Sequence, residues 1–313
     1  MKLKALFVLL IIITVLISGC TRSTEDAQPS EDATSGPTND KTIVIGSKLF
    51  QESFILGHLI SLMLEDNGYK TEVKVGLGGT LINYEALKKG QIQTYVEYTG
   101  TAYSQILKKP PLDIWDPQVI YEEAEKGLLE QDGVIIVGKL GFEDAYAIAV
   151  KEDWAKANNI TRISDLEPYA SEMKIGTDPE FATREDGLPS IQAIYGFNFK
   201  NYQQGLATIM YEAIKNDEVE AISAYTTDTK NELFDLRILE DDKNALPPYD
   251  AIIIVTEEFA AENPDVIEII RELENTIDTD SMRQLNYQYD VDKKDARDIA
   301  RSFLIEKGLI SEA

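Results

Sequence analysis

The chain of 313 residues has one histidine, one cysteine and two tryptophans, and each scarcity closes off a class of chemistry. A Ser/His/Asp triad needs an imidazole held between two partners, yet the sole histidine, His58, sits inside an apolar run at helical spacing. Metal sites built from several imidazoles are out of reach for the same reason. The one cysteine, Cys20, has no disulfide partner within the chain. No Gly-x-x-x-x-Gly-Lys loop or Gly-x-Gly-x-x-Gly turn occurs, and Gly76-Leu77-Gly78-Gly79 is only a partial echo of a phosphate-cradling turn. Basic residues are also short, 30 against 55 acidic ones, for a formal charge of -25. Such a surface repels phosphate backbones and anionic lipid alike, which argues against nucleic acid as a partner. Carboxylates are so abundant that no pair stands out as a glycosidase dyad. Two readings of the acidity stay open, a surface suited to a saline habitat and a merely soluble one.

The only long hydrophobic run is Ala5 to Ile17, preceded by Lys2 and Lys4, and it is too short for a comfortable membrane span. Residues 1–19 read as a secretory signal. Ile17-Ser18-Gly19-Cys20 resembles a lipobox, which implies cleavage after Gly19 and a lipid on Cys20. Residues 20–41 are rich in Thr, Ser, Asp, Glu and Pro and read as a disordered tether, since they hold too little apolar area to offset chain entropy.

The remainder is long enough for two lobes with separate cores. Thr42 to Ile45 reads as a strand leading to Gly46-Ser47-Lys48, and Phe54, Ile55, Leu59, Ile60, Met63 and Leu64 recur at the spacing of an amphipathic helix. Strands over Thr71 to Val75 and Ile92 to Tyr98 flank a helix over Leu81 to Lys89. Alternation of this kind predicts an α/β fold with mostly parallel sheets and polar loops at the strands' carboxyl ends. A further strand covers Val134 to Leu140, and Asp144 to Val150 reads as a segment crossing between lobes. Strands ending at Thr177 and Tyr225, a helix from Leu188 to Tyr195 and a returning strand over Ala251 to Val255 follow. From Asn263 the periodicity is helical. The expected division is 42–142 with 255–313 in one lobe and 143–254 in the other.

Four tyrosines and an arginine, Tyr98, Tyr146, Tyr225, Tyr249 and Arg184, fall at strand ends or loops of this scheme. Aromatic faces attract cations that cannot hydrogen-bond, and a guanidinium grips a carboxylate, so together they suit a small zwitterion. Trp115 and Trp154 belong to no such loop and read as surface or packing residues.

The ordered set Gly46-Ser47-Lys48 with Glu52, Gly78-Gly79-Thr80, Glu97-Tyr98-Thr99-Gly100-Thr101, and Glu180-Phe181 with Arg184, Asp186 and Gly187 resembles the osmoprotectant-binding proteins of ABC transporters. The resemblance runs from Thr42 to the C-terminus. It implies a two-lobed periplasmic-binding-protein fold, type II-like, with two crossing segments and a ligand enclosed between the lobes. It also implies an aromatic box of Tyr98, Tyr146, Tyr225 and Tyr249 around a trimethylammonium head, with Lys48, Thr101 and Arg184 holding a carboxylate. Asp144 would line the box through its backbone, and Glu180 would support the closed lobes or orient Arg184. The implied partners are a quaternary-ammonium ligand such as glycine betaine, an ABC permease with a cytoplasmic ATPase, and the membrane through lipid at Cys20. A monomer with no cofactor, no metal and no catalytic residue is expected. A trimethylammonium group has no N–H, so shape, dispersion and π faces must select it, each desolvated face contributing about 0.5 to 2 kcal/mol. Two uncompensated cations would favour a betaine over choline, which has no carboxylate. Receptors for choline or another amino-acid-like solute, a secreted enzyme acting on small zwitterions, and an adhesion or sensor lipoprotein without a transporter stay open as alternatives.

Overall fold

Short apolar segments separated by polar turns become ten strands among the described residues, 41–112 and 115–312, of the computed structural model. The signal segment, Cys20 and the tether before Lys41 lie outside the described residues. In chain order the strands are β1 (Ile43–Gly46), β2 (Thr71–Lys74), β3 (Thr94–Tyr98), β4 (Val134–Glu143), β5 (Tyr146–Lys151), β6 (Lys174–Thr177), β7 (Asn201–Gln204), β8 (Ala221–Tyr225), β9 (Leu236–Ile238) and β10 (Asp250–Thr256). They form two five-stranded sheets ordered β2-β1-β3-β10-β4 and β7-β6-β8-β5-β9. Both sheets belong to one compact unit, Thr38–Ala313.

Each sheet has three parallel strands joined by helices, β2-β1-β3 and β7-β6-β8, and one strand, β10 or β5, that runs antiparallel to two neighbours. The sheets are therefore mixed, not mostly parallel, because β5 and β10 enter from the opposite lobe and have no crossover helix to reverse them. Asp144 and Ala145 alone separate β4 in the first sheet from β5 in the second. The chain returns between β9 and β10. The expected boundary at 254 and 255 falls inside β10, whose first residue, Asp250, already pairs with Glu143 in the first sheet.

Strand β10 illustrates how the cores form. Successive side chains alternate between faces, so Ala251, Ile253 and Val255 join one core while Ile252 and Ile254 join another. A strand covered on both faces reads as an unbroken apolar run, as this one does. The helix Gln51–Asp66 was expected to be amphipathic but is buried nearly all round, at Leu56 and Leu62 as well as Ile55, Leu59 and Met63. The helix Ala296–Glu306 packs over its outer side, a contact between segments some 240 residues apart that local periodicity cannot register. The C-terminal helical region resolves into Pro264–Arg271, Thr279–Asp290 and Ala296–Glu306, the last two capped by Asp278 and Asp295. A helix over Pro117–Asp132 was not anticipated, although Asp116 followed by Pro117 and the closing Gly133 are its start and stop signals.

Candidate functional site

Antiparallel entry of β5 and β10 has a direct geometric result: the start of each lies opposite the carboxyl end of a parallel strand. Tyr146, first in β5, is the direct partner of Tyr225, last in β8. Ala251 pairs with Tyr98, last in β3, which brings Tyr249 beside the same strand end. A cavity of about 430 Å³ opens where these ends meet, a volume suited to a small organic solute. Its lining includes all nine residues singled out from the sequence, Lys48, Tyr98, Thr101, Asp144, Tyr146, Glu180, Arg184, Tyr225 and Tyr249.

The aromatic rings form an arc. Tyr249 meets Tyr146 edge-on at 5.6 Å, and Tyr146 lies 5.1 Å from Tyr225. Phe50 stacks on Tyr225 at 5.9 Å and continues to Tyr98 at 6.3 Å. Phe50 was missed by the sequence reading; beside Leu49 and ahead of a helix it looks like a packing residue, and its position just after Lys48 was the available signal. Burial raises the phenols of Tyr98, Tyr146, Tyr225 and Tyr249 well above the ordinary tyrosine value, so all four are neutral rings with intact π faces. Trp115 packs on Tyr103 and Trp154 on Tyr169, and neither lines the cavity.

The two cations are not uncompensated, contrary to expectation. Lys48 forms a buried ion pair with Glu97 and lies 5.1 Å from the Tyr98 ring. Arg184 grips Asp186 with two N–H groups, donates to Thr101 Oγ1 at 3.1 Å and lies over the Tyr146 and Tyr249 rings. Burial opposes the Arg184 charge, but its surroundings outweigh that cost, the ion pair with Asp186 among them, and the guanidinium stays protonated. Donors remain on both groups, since an ammonium has three N–H and Arg184 Nη1 has no partner nearer than Glu180 at 3.8 Å. Glu97 lies far from Lys48 in sequence and gave no sign of neutralising it, whereas Asp186 stands two residues beyond Arg184, close enough for the pairing to be open from the sequence.

Glu180 reaches from the β6 loop to the Gly79-Thr80 turn, accepting from Thr80 N at 2.8 Å and Thr80 Oγ1 at 3.3 Å. It thereby ties the two lobes together at the mouth. Asp144 uses its backbone N–H on the Tyr249 carbonyl, while its carboxylate turns to Thr227. The Thr227 hydroxyl lies 2.7 Å from Glu52 Oε2 and 2.8 Å from Asp144 Oδ1. A hydroxyl has one proton to give, so Thr227 satisfies one of the two carboxylates at a time, and a proton on the other carboxyl would complete the set. Burial first, and then mutual repulsion, raises the Asp144 carboxyl; burial likewise outweighs the hydrogen bonds to Glu52 from Tyr98, Thr227 and Asn286 and raises it too.

Among the described residues no cluster of histidine, cysteine and carboxylate fits a metal ion, and no helix is long and apolar enough to cross a membrane.

The family model described as the substrate binding domain of ABC-type glycine betaine transport system matches residues 41–306. An ergothioneine transport permease/ergothioneine binding protein of Helicobacter pylori is 31% identical over 271 residues, covering 86% of this chain; the chain spans 48% of that relative's length. A carnitine transport binding protein of Listeria monocytogenes is 30% identical over 272 residues, covering 86% of this chain and 88% of its own. A crystal structure described as a glycine betaine/carnitine/choline ABC transporter superposes with a TM-score of 0.71 at 27% identity, covering 86% of this chain and all of that one. These relatives are transport binding proteins, not enzymes, and the two lobes, crossing segments and cavity fit that class. The chain belongs to the family of substrate-binding domains of ABC-type glycine betaine transport systems.

Proposed function

We propose that this substrate-binding protein captures a small quaternary-ammonium solute, such as glycine betaine, in the cavity between its lobes, with the onium head against the arc of rings. The observation that carries this reading is the continuous run Tyr249, Tyr146, Tyr225, Phe50 and Tyr98, contributed by strands of both sheets and the segments beside them. Three or four such faces at about 0.5 to 2 kcal/mol each are enough to support binding near the micromolar range, roughly -8 kcal/mol, once dispersion is added and the cost of immobilising the ligand removed. In this reading Lys48, Thr101 and Arg184 donate to a ligand carboxylate. Glu180 holds the mouth shut, and closure is what a membrane permease recognises.

The pairing of Lys48 with Glu97 and of Arg184 with Asp186 favours a second reading, a net cation such as choline, because the site has no surplus positive charge for a carboxylate to balance. Calorimetric titration with glycine betaine, carnitine and choline separates the two, repeated on Tyr146→Ala and Arg184→Ala. Binding of any of the three that is lost in Tyr146→Ala supports the cage; unaltered binding in that variant overturns it. Loss of glycine betaine but not choline in Arg184→Ala supports the carboxylate clamp.

The protein acts outside the cytoplasm, as substrate-binding proteins of importers do. We propose in addition that it acts as a monomer held to the membrane by lipid on Cys20. Incorporation of labelled fatty acid that disappears in Cys20→Ala tests the anchor.

A further inference from the structure

We infer that Asp178 determines specificity within this cavity, its carboxylate accepting a hydrogen bond from an O–H or N–H that the ligand carries beside its cationic group. The inference rests on the caged-cation reading and adds a demand that methylated onium ions by themselves do not meet. Asp178 follows directly on β6, lines the cavity and is 7% exposed. Its two oxygens have different surroundings. Oδ1 accepts from the backbone N–H of Glu180 at 2.9 Å and of Phe181 at 3.0 Å, a turn that sets the loop bearing Glu180 and Arg184. Oδ2 is buried and has no hydrogen-bond partner.

The other carboxylates around the cavity are supplied with donors. Glu52 accepts from the Tyr98 hydroxyl, Asp144 from the backbone N–H of Thr227, Glu180 has Thr80, Glu97 has Lys48, and Asp186 has Arg184. Asp178 lines the same cavity as Tyr146 and Tyr225, the rings proposed to hold the cation. A buried acceptor without a donor costs stability that a ligand recovers if it brings the donor. A trimethylammonium group offers attraction to the charge but no N–H, and leaves Oδ2 unpaired. A hydroxyl one or two bonds from the onium carbon, or a proton on a partly methylated nitrogen, completes it. The turn needs only Oδ1, which the asparagine amide oxygen replaces; the amide N–H₂ then stands where Oδ2 stood and offers donors in place of an acceptor.

The test compares choline with its O-methyl ether, and N,N-dimethylglycine with glycine betaine, by calorimetric titration of the wild type and Asp178→Asn. The expected result is that the donor-bearing member of at least one pair binds the wild type about tenfold or more tighter than its methylated counterpart. That preference shrinks to near parity in Asp178→Asn, whose thermal unfolding stays close to wild type. A preference in the O–H pair alone assigns the donor to a hydroxyl, and in the N–H pair alone to an ammonium. No preference in either pair overturns the inference from the wild type alone, whether or not the variant folds. A preference that persists in Asp178→Asn overturns it too, since size and not Asp178 would then be its source. If none of the four compounds binds, the caged-cation reading fails and the inference with it.

Discussion

A methyl group on Gly79 would lie 2.0 Å from Glu180 Oε1. The backbone there accepts any residue, so the absence of a side chain serves the approach of Glu180 and nothing else. Gly79→Ala is expected to break the Thr80–Glu180 bridge and, at about 1.5 to 3 kcal/mol for a hydrogen bond to a charged group, to weaken ligand binding by at least tenfold. Calorimetry and a thermal melt check this; a lowered melting temperature with unchanged affinity would contradict it. The Glu52–Thr227–Asp144 set gives a pH prediction. Both carboxyl groups are raised by burial, so the fold holds a proton that the unfolded chain has lost once pH exceeds the ordinary carboxylate range. Stability of the ligand-free protein should then fall as pH rises from that range through the raised values, while affinity for a cation rises, because the ligand favours the ionised pair. Asp228 adds negative charge to both groups and is itself offset by Lys230, which also pairs with Asp290. Asp144→Asn should flatten both profiles. That Tyr98, Tyr146, Tyr225 and Tyr249 face one cavity was legible because each stands at or beside a strand end with polar neighbours. Phe50 and Asp178 were not, since a lone aromatic before a helix and one carboxylate among 55 acidic residues have no local mark.

At the level of elements, the parallel strands and their helices were legible from alternation and spacing. The direction of β5 and β10 was not, because strand polarity within a sheet depends on which lobe the chain arrives from. That polarity is also what gathers Tyr98 with Tyr249 and Tyr146 with Tyr225, so the least legible feature of the fold is the one that builds the site. The helix Gln51–Asp66 shows the same limit: its periodicity was clear, but not that the C-terminal helices bury its second side. Leu59, within this helix, is 1% exposed. Leu59→Ala is expected to cost about 2 to 5 kcal/mol of stability, read from the urea midpoint at constant slope, with ligand affinity of the folded protein unchanged. A loss below about 0.5 kcal/mol would mean that this helix is not sealed within the core.

Across the whole molecule the lobes are joined over the cleft by Glu180 to Thr80, Arg184 to Thr101 and Tyr249 to Asp186, and all of these residues but Asp186 also line the cavity. In the proposed function, ligand binding and closure draw on the same side chains, and a ligand held by both lobes favours the closed form. The formal charge of -25 adds a long-range attraction for cations that salt screens within about 10 Å at ordinary ionic strength. Choline affinity should fall several-fold between low and high salt, and glycine betaine affinity should change little. The most direct measurement is a calorimetric comparison of choline with its uncharged carbon isostere, 3,3-dimethylbutan-1-ol. The rings predict that the cation binds at least tenfold tighter, about 1.4 kcal/mol or more, and that Tyr146→Leu removes most of the difference. Equal affinity for the two, or a difference that Tyr146→Leu leaves intact, would contradict the cage.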